Sequence, residues 1–135
     1  MKRHEEWIDR AKSSLEVSKI AVSDNVYYED LCYQAQQAVE KGLKGLLIYC
    51  EVEPEFTHNI RILLDGLEKF IIIPENIKEA TKLTKYAVIT RYPGEYDEIT
   101  DERYKESVKI AKECLEWIEK TINESEENKK NDINY

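Results

Sequence analysis

Residues 30–50 read DLCYQAQQAVEKGLKGLLIYC and decide the fold of this chain. When the segment is wound as a helix at about 100° per residue, its apolar and small residues fall on one broad arc. That arc consists of Leu31, Ala35, Ala38, Val39, Gly42, Leu43, Gly45, Leu46 and Tyr49. The opposite arc is polar and consists of Tyr33, Gln34, Gln37, Glu40, Lys41 and Lys44. So wide an apolar arc is typical of a helix that several others pack against, and we predict the central helix of a bundle.

Two glycines lie inside this predicted helix, at Gly42 and Gly45. Each costs about 1 kcal/mol relative to alanine in a helix interior. A glycine kept inside a helix usually has a packing reason. We therefore expect a neighbouring helix to approach closely at both positions.

The composition favours one all-α domain. The 135 residues are 41% hydrophobic and 36% charged and include only four glycines and three prolines, which is the balance of a globular helical protein. Apolar residues at helical spacing predict four further helices, over residues 4–22, 58–69, 75–87 and 101–123, with Thr57 and Thr100 as N-caps. The predicted architecture is an up-and-down bundle of about five helices over residues 1–123, with the second helix central. Residues 124–135 are polar, and we expect a frayed tail.

The sequence predicts a cytoplasmic protein. The N-terminus is charged and amphipathic rather than a signal peptide, and we find no run of membrane-spanning length. The three cysteines, Cys32, Cys50 and Cys114, have no metal-ligand spacing and fall inside helical patterns. This arrangement predicts reduced thiols and neither a metal nor another cofactor.

The charge of the chain limits its partners. The formal net charge is −8, and affinity for nucleic acid comes mainly from phosphate neutralisation by lysine and arginine. We therefore expect no binding to DNA, and any anion site must be local. One candidate is the stripe of Lys78, Lys82 and Lys85, at helical spacing and shortly before Arg91. It could hold the phosphates of a nucleotide, or it could be a solvated helix face.

The segment TRYPGEY at residues 90–96 is a second candidate, because Arg91 there is flanked by Tyr92 and Tyr96. Arginine makes forked hydrogen bonds to phosphate or carboxylate, and tyrosine can stack on a base. The alternative is that Arg91 pairs with nearby acids and fixes a turn between helices.

His58 is a third candidate, because histidine is the usual proton-transfer group near neutral pH. It stands at the predicted start of the third helix, with no nucleophile motif or second histidine at metal spacing beside it. The structural alternative, which we favour, is that His58 caps or packs this helix start. His4 lies close to the terminus and is a weaker candidate.

Three motifs in this order resemble the HEPN domain (higher eukaryotes and prokaryotes nucleotide-binding). They are YQAQQAVEKGLKGLL at residues 33–47, THNIRILL at 57–64 and TRYPGEY at 90–96. The resemblance covers roughly residues 2–123. It implies an all-α bundle of about five helices that usually forms a homodimer. Members are often encoded beside a minimal nucleotidyltransferase, in pairs that look like toxin and antitoxin systems.

Many HEPN proteins are metal-independent ribonucleases with an arginine followed four to six residues later by a histidine. Arg91 matches that arginine, but Tyr96 and Asp97 stand where the histidine is expected. A tyrosine with an ordinary pKa of about 10 is a poor proton shuttle at neutral pH. The resemblance therefore implies a non-catalytic module that binds a nucleotide, RNA or a nucleotidyltransferase partner.

The ligand-binding residues predicted on this basis are Arg91, Tyr92, Tyr96, Lys41, Gln37 and Lys85. Two alternatives remain open. One is a ribonuclease toxin in which Arg91 stabilises phosphate charge and His58 or Tyr96 replaces the missing histidine. The other is a purely structural interaction protein.

Overall fold

The computed structural model describes residues 1–20, 25–89 and 98–133. All regular secondary structure in these ranges is helical. The elements are α1 (Arg3–Ser18), α2 (Tyr28–Tyr49), α3 (Ile60–Glu68), α4 (Glu75–Lys78), a 3-10 helix (Glu79–Leu83), α5 (Tyr86–Ile89) and α6 (Asp101–Ile133). The prediction of an all-α bundle is confirmed.

The second helix is central, as predicted. It packs most extensively against α1 and α6 and more lightly against α3 and α5. Thirteen of its 22 residues are buried, more than one helix face can supply. α2 therefore carries the core that the other helices cover.

The two glycines of α2 mark the closest approaches of its neighbours. A Cβ atom at Gly42 would lie 2.5 Å from Leu115 Cδ2 of α6. At Gly45 it would lie 2.9 Å from Ile8 Cγ1 and 3.3 Å from the carbonyl oxygen of His4, both on the α1 side. The expected close neighbours are thus α1 and α6.

The third helix starts later than predicted. Its N-cap is Asn59, whose side chain accepts a hydrogen bond of 3.0 Å from the backbone N–H of Arg61. Thr57, the predicted cap, instead accepts from the N–H of Asn59 in the preceding turn. Asn59 directly precedes the first residue of α3, so its side chain rather than that of Thr57 caps the helix.

The fourth helix is broken rather than continuous. Between α4 and α5 the chain tightens into the 3-10 helix, and two threonines make side-chain hydrogen bonds there. The Thr81 hydroxyl donates to the Lys78 carbonyl, and the Thr84 hydroxyl accepts from the N–H of Ile60 in α3. A local bond such as that of Thr81 competes with the regular backbone hydrogen bonds of an α-helix.

The first and last helices also differ in length from the prediction. α1 ends at Ser18, and residues 21–22 of the predicted helix lie outside the described residues. α6 does not end near residue 123 but continues to Ile133, so the predicted frayed tail is helical up to that residue. The Tyr49 hydroxyl donates a hydrogen bond of 2.6 Å to Glu126, and Lys129 lies 4.8 Å from the Tyr49 ring centroid. These contacts hold the polar extension of α6 against the end of α2.

All three cysteines carry free thiols. Burial raises the pKa of Cys32 to about 11 and that of Cys114 to about 12. In the described ranges, no helix has both the length and the apolar character needed to cross a membrane.

We predict opposite effects for two alanine substitutions in helices. Gly45→Ala forces a methyl group against α1, and overpacking of about 1–3 kcal/mol outweighs the gain in helix propensity of about 1 kcal/mol. Gly66→Ala on α3 meets only Leu47 Cδ2, at 3.4 Å. It should therefore stabilise the fold by up to about 1 kcal/mol. Urea unfolding measures both, and equal effects of the two substitutions would contradict the close packing at Gly45.

Candidate functional site

Two residues of the arc predicted to be polar are buried. Glu40 is 5% exposed and Lys44 is 7% exposed. The Lys44 ammonium lies 3.0 Å from Glu40 Oε2. It also lies 5.8 Å from the ring centroid of Trp7 and 5.9 Å from that of Phe56. A polar arc is expected to face solvent, and this expectation is wrong for Glu40 and Lys44. They are buried because each lies beside the opposite charge of the other.

A third buried polar residue, Gln36, joins this pair. Its Nε2 donates to Glu40 Oε1 and to the carbonyl oxygen of His58, each at 3.1 Å. Its Oε1 accepts from Gln37 Nε2 at 2.8 Å. We call Gln36, Gln37, Glu40, Lys44 and His58 the Glu40 network. Sequence analysis did not assign Gln36 to either arc.

His58 is the half-exposed member of the Glu40 network. Its Nδ1 lies 2.8 Å from Glu40 Oε1, and its side chain is 52% exposed. An ionised carboxylate only accepts hydrogen bonds, so His58 Nδ1 donates to Glu40. The bond between His58 and Glu40 ties the turn before α3 to α2. His58 also presents a carboxylate-oriented imidazole that can exchange a proton at Nε2.

The network keeps Glu40 ionised. Burial alone would raise the pKa of the Glu40 carboxyl. Hydrogen bonds from His58, Gln36 and Lys44, together with the charge of Lys44, outweigh burial and lower the pKa below its ordinary value. A buried carboxylate is therefore available to orient His58 and neutralise Lys44 at neutral pH.

Two lysines of the predicted basic stripe are paired with acids. Lys78 lies 3.2 Å from Glu75 and 3.8 Å from Glu68. Lys82 pairs with Glu79 on the 3-10 helix and lies 3.8 Å from Glu106 on α6. This part of the stripe is a solvated, charge-balanced surface.

The third lysine of the stripe opens onto a cleft. A cavity of about 190 Å³ lies between the 3-10 helix and α5 on one side and α6 on the other. Its polar lining consists of Lys82, Lys85, Tyr86, Arg103, Glu106 and Ser107. We call it the Lys85 cleft. Within the described ranges, neither Lys85 nor Arg103 has an acidic partner within ion-pair distance.

Two residues of the Lys85 cleft come close to α2. The Ser107 hydroxyl and the Lys85 ammonium are both close enough to the Cys32 thiol of α2 to lower its pKa, although burial raises it more. Glu40 stands eight residues further along α2, which is about 12 Å at 1.5 Å per residue. The cleft and the Glu40 network therefore border different stretches of α2.

The other predicted site residues separate into different surroundings. Gln37 belongs to the Glu40 network. Lys41 instead donates a hydrogen bond of 2.9 Å to the Ser14 hydroxyl on α1, and its pKa is lowered chiefly by burial. Arg91, Tyr92 and Tyr96 lie outside the described residues, so their role remains a prediction. Arg103 was missed, because nothing in the spacing of α6 relates it to Lys85.

Acidic, histidine and cysteine side chains do not form a metal centre in the part of the chain that the structure describes. No group of three or more of them is placed to hold a metal ion there.

Comparison with known proteins identifies the family. The model of the HEPN domain matches residues 4–121. The chain belongs to the HEPN family. It is 34% identical to ST0689, an archaeal HEPN homologue, whose crystal structure superposes with a TM-score of 0.71 over 90% of this chain and 99% of that one.

Two further relatives match nearly the whole chain. The crystal structure of TT1696 from Thermus thermophilus is 30% identical, with a TM-score of 0.76 over 89% of this HEPN chain and 98% of that one. A protein of Methanocaldococcus jannaschii named "Putative toxin MJ1304" is 29% identical over 138 residues, which is 87% of each chain. This HEPN chain therefore resembles a protein named as a toxin along nearly its whole length.

We predict that Glu40→Gln is strongly destabilising, because it leaves the Lys44 ammonium buried without its counter-charge. Breaking such a pair costs about 3–5 kcal/mol, whereas replacing both partners is often nearly neutral. The matched control is therefore the double variant Glu40→Gln, Lys44→Met, which should regain most of the loss. Urea unfolding at pH 7 measures both, and a single variant as stable as the wild type would contradict a structural role for the pair.

The pair of Glu40 and Lys44 also predicts that the unfolding free energy depends on pH. The pKa of Glu40 is lowered in the folded state from 4.5, so its stabilisation is complete above that value and is lost as the pH falls through the folded pKa. The wild-type protein should lose unfolding free energy below about pH 4.5 more steeply than the double variant does. An equal loss of unfolding free energy in the wild type and the double variant as the pH falls would contradict this prediction.

Proposed function

We propose that this HEPN chain is a non-catalytic module that binds the phosphate groups of a nucleotide in the Lys85 cleft. The observation that carries the proposal is the juxtaposition of Lys85 and Arg103 at one cavity. The Glu106 carboxylate in the same lining lies 3.8 Å from Lys82, and neither Lys85 nor Arg103 has an acid within ion-pair distance among the described residues. On a chain of net charge −8, any anion site must be local, and this pair of cations is such a local site.

The chemistry of the cleft suits phosphate. A guanidinium group makes forked hydrogen bonds to phosphate oxygens, and an ammonium group adds a mobile point charge. The hydroxyls of Tyr86 and Ser107 lie in the same lining. Each hydrogen bond to a charged group contributes about 1.5–3 kcal/mol.

The proposed site also includes Arg91, Tyr92 and Tyr96. Their segment connects α5, which ends at Ile89, to α6, which begins at Asp101, and these two helices form the walls of the cleft. Arg91 is two residues beyond Ile89, a reach of about 7 Å of extended chain. Chain connectivity thus supports a contribution of Arg91 to the bound phosphate.

The proposal extends to partners. A relative named as a toxin supports a place for this HEPN chain in a two-protein toxin and antitoxin pair. The partner proposed from the family resemblance is a minimal nucleotidyltransferase, which would share the nucleotide, and we propose that the HEPN chain itself is a homodimer. Copurification of the two co-expressed proteins tests the first of these partners.

Calorimetric titration with ATP tests the nucleotide site. We expect Lys85→Gln and Arg103→Gln each to weaken binding at least tenfold, because each removes about 1.4 kcal/mol or more of charged interaction. Arg91→Ala should weaken it similarly without changing the melting temperature. The matched control is Lys78→Gln, on the same stripe but paired with acids, which should bind within twofold of wild type. If the wild type gives no heat with common nucleotides at millimolar concentration, the nucleotide-binding proposal fails.

A second candidate function is metal-independent cleavage of RNA. The observation that favours it is the half-exposed His58 imidazole held by the Glu40 carboxylate. In such a reaction His58 Nε2 would take the proton of a ribose 2′-hydroxyl, whose oxygen attacks the adjacent phosphorus. The 5′-oxygen would leave and take up a proton, and the other product would be a cyclic phosphate. Cations of the cleft would stabilise the phosphate charge.

Incubation of purified protein with RNA in excess chelator tests this candidate. We expect cyclic phosphate ends from the wild type and at least a hundredfold slower cleavage from His58→Ala, since a general base contributes about 10²–10⁴-fold. His4→Ala is the matched control, because its ring packs on Tyr49 instead. RNA left intact by the wild-type protein over hours would exclude cleavage by His58.

A further inference from the structure

A cavity of about 530 Å³ lies where the end of α2 and the segment after α3 meet α6. It is larger than the Lys85 cleft, whose volume is about 190 Å³, and it is within the size range of small-molecule sites in proteins. The apolar part of its lining consists of Leu46, Cys50, Phe70 and Ile71. We call it the Glu51 pocket, after an exposed acidic residue of its lining. The pocket can therefore cover an apolar group of a small molecule.

One wall of the Glu51 pocket comes from the extension of α6 beyond residue 123. Ser125 and Lys129 lie on this extension and line the pocket. The Ser125 hydroxyl makes no hydrogen bond with the described residues. The Lys129 ammonium lies 3.3 Å from the Tyr49 hydroxyl and 3.7 Å from the Glu126 carboxylate. An exposed ion pair at that distance contributes little, so the ammonium can turn towards a bound anion.

Glu51 has a backbone conformation that glycine normally adopts. Its φ is 62°, and in the described ranges it is the only residue other than glycine with a positive φ. This conformation ends α2, because the backbone N–H groups of Glu51 and Val52 donate to the carbonyls of Ile48 and Leu47, at 2.9 Å each. Glycine would make the same two bonds without the steric cost of a Cβ atom. The end of the helix therefore does not explain why a glutamate occupies this position.

The Glu51 side chain is free to bind a ligand. It is exposed, and it has no basic side chain within ion-pair distance among the described residues. Residues in strained backbone conformations cluster at ligand sites, where the side chain has a use that offsets the strain. An unpaired carboxylate at the end of α2 and a loosely paired ammonium on α6 thus line one pocket with an apolar part.

The charges of the lining select the chemistry of the ligand. A molecule with only a carboxylate would pair with Lys129 and be repelled by Glu51, and an organic cation would be repelled by Lys129. A zwitterion finds a partner for each of its charges, and it adds no net charge to a chain of −8. An α-amino acid with an apolar side chain is the simplest molecule that also uses the apolar part of the lining.

We propose that the Glu51 pocket binds an apolar α-amino acid. Glu51 pairs with the ammonium group of the ligand, Lys129 and Ser125 bind its carboxylate, and the apolar part of the lining covers its side chain. The pocket shares no residue with the Lys85 cleft, so the test of this proposal is independent of the test with ATP.

Calorimetric titration of the full chain with L-leucine and L-phenylalanine tests the proposal. We expect at least one of them to bind saturably at millimolar concentration and to raise the melting temperature, because it binds only the folded protein. The N-acetyl derivative lacks the ammonium group, and the amide derivative lacks the carboxylate. Each should bind at least about tenfold more weakly than the parent amino acid, since each loses one charge pair.

Two substitutions of Glu51 separate binding from stability. Glu51→Gln removes only the charge and should weaken binding of the amino acid at least about tenfold. Glu51→Gly should weaken it to the same extent and yet raise the melting temperature of the free protein by a few degrees, because glycine adopts the left-handed conformation without strain. The matched control is Glu127→Gln, an exposed acid of α6 outside the lining, which should bind within about twofold of wild type.

The Cys50 thiol gives a second measurement of the same site. It is partly buried and lines the pocket, whereas Cys32 and Cys114 are fully buried. N-ethylmaleimide should therefore modify Cys50 first, and the bound amino acid should slow that reaction. A wild type that gives neither heat nor protection of Cys50 with either amino acid would overturn the proposal. Binding that Glu51→Gln leaves unchanged would also overturn it.

Discussion

The burial of α2 on several sides is the constraint on which the rest of this structure depends. A helix enclosed by α1, α3, α5 and α6 needs short side chains wherever a neighbour comes close. Gly45 meets this need against α1, and Gly42 meets it against α6. The close contact at Gly42 positions α6 along α2, so the C-terminal part of α6 lies beside the end of α2. Tyr49, at the end of α2, can thus hold Glu126 far along the last helix.

Enclosing α2 also forces polar groups into the bundle, where each must find a partner. The Glu40 network solves this by satisfying Gln36, Glu40 and Lys44 with one another and with His58. No buried side-chain nitrogen or oxygen lacks a hydrogen bond in the part of the chain that the structure describes. The same bonds tie the turn before α3 to the central helix. One set of interactions therefore positions both the imidazole of His58 and the exposed loop that carries Phe56.

Charge pairing explains why the candidate anion site is so small. Most lysines on this acidic chain lie beside a carboxylate, as Lys78 and Lys82 do. Lys85 is close to the Tyr86 ring instead, and Arg103 faces the same cavity from α6. Two cations from different segments thus face one cavity, although the net charge of the chain is −8. The resemblance to the HEPN family implies Arg91 as a ligand of phosphate, and the structure places Arg103 in the α6 wall of the cavity.

The sequence by itself determined the helices, the central place of α2, the close packing at its glycines and the family. These follow from periodicity, composition and short motifs, which are properties of neighbouring residues. It also singled out Lys85 and His58, but not what they contact. Only the tertiary structure decided that Glu40 and Lys44 are buried, that Gln36 joins them, that Lys41 bonds to α1, and that Arg103 lies opposite Lys85. It also decided the break in the fourth helix and the extension of α6. Each of these depends on a partner from a distant segment, and helical periodicity reports which face a residue occupies, not what the fold places against it.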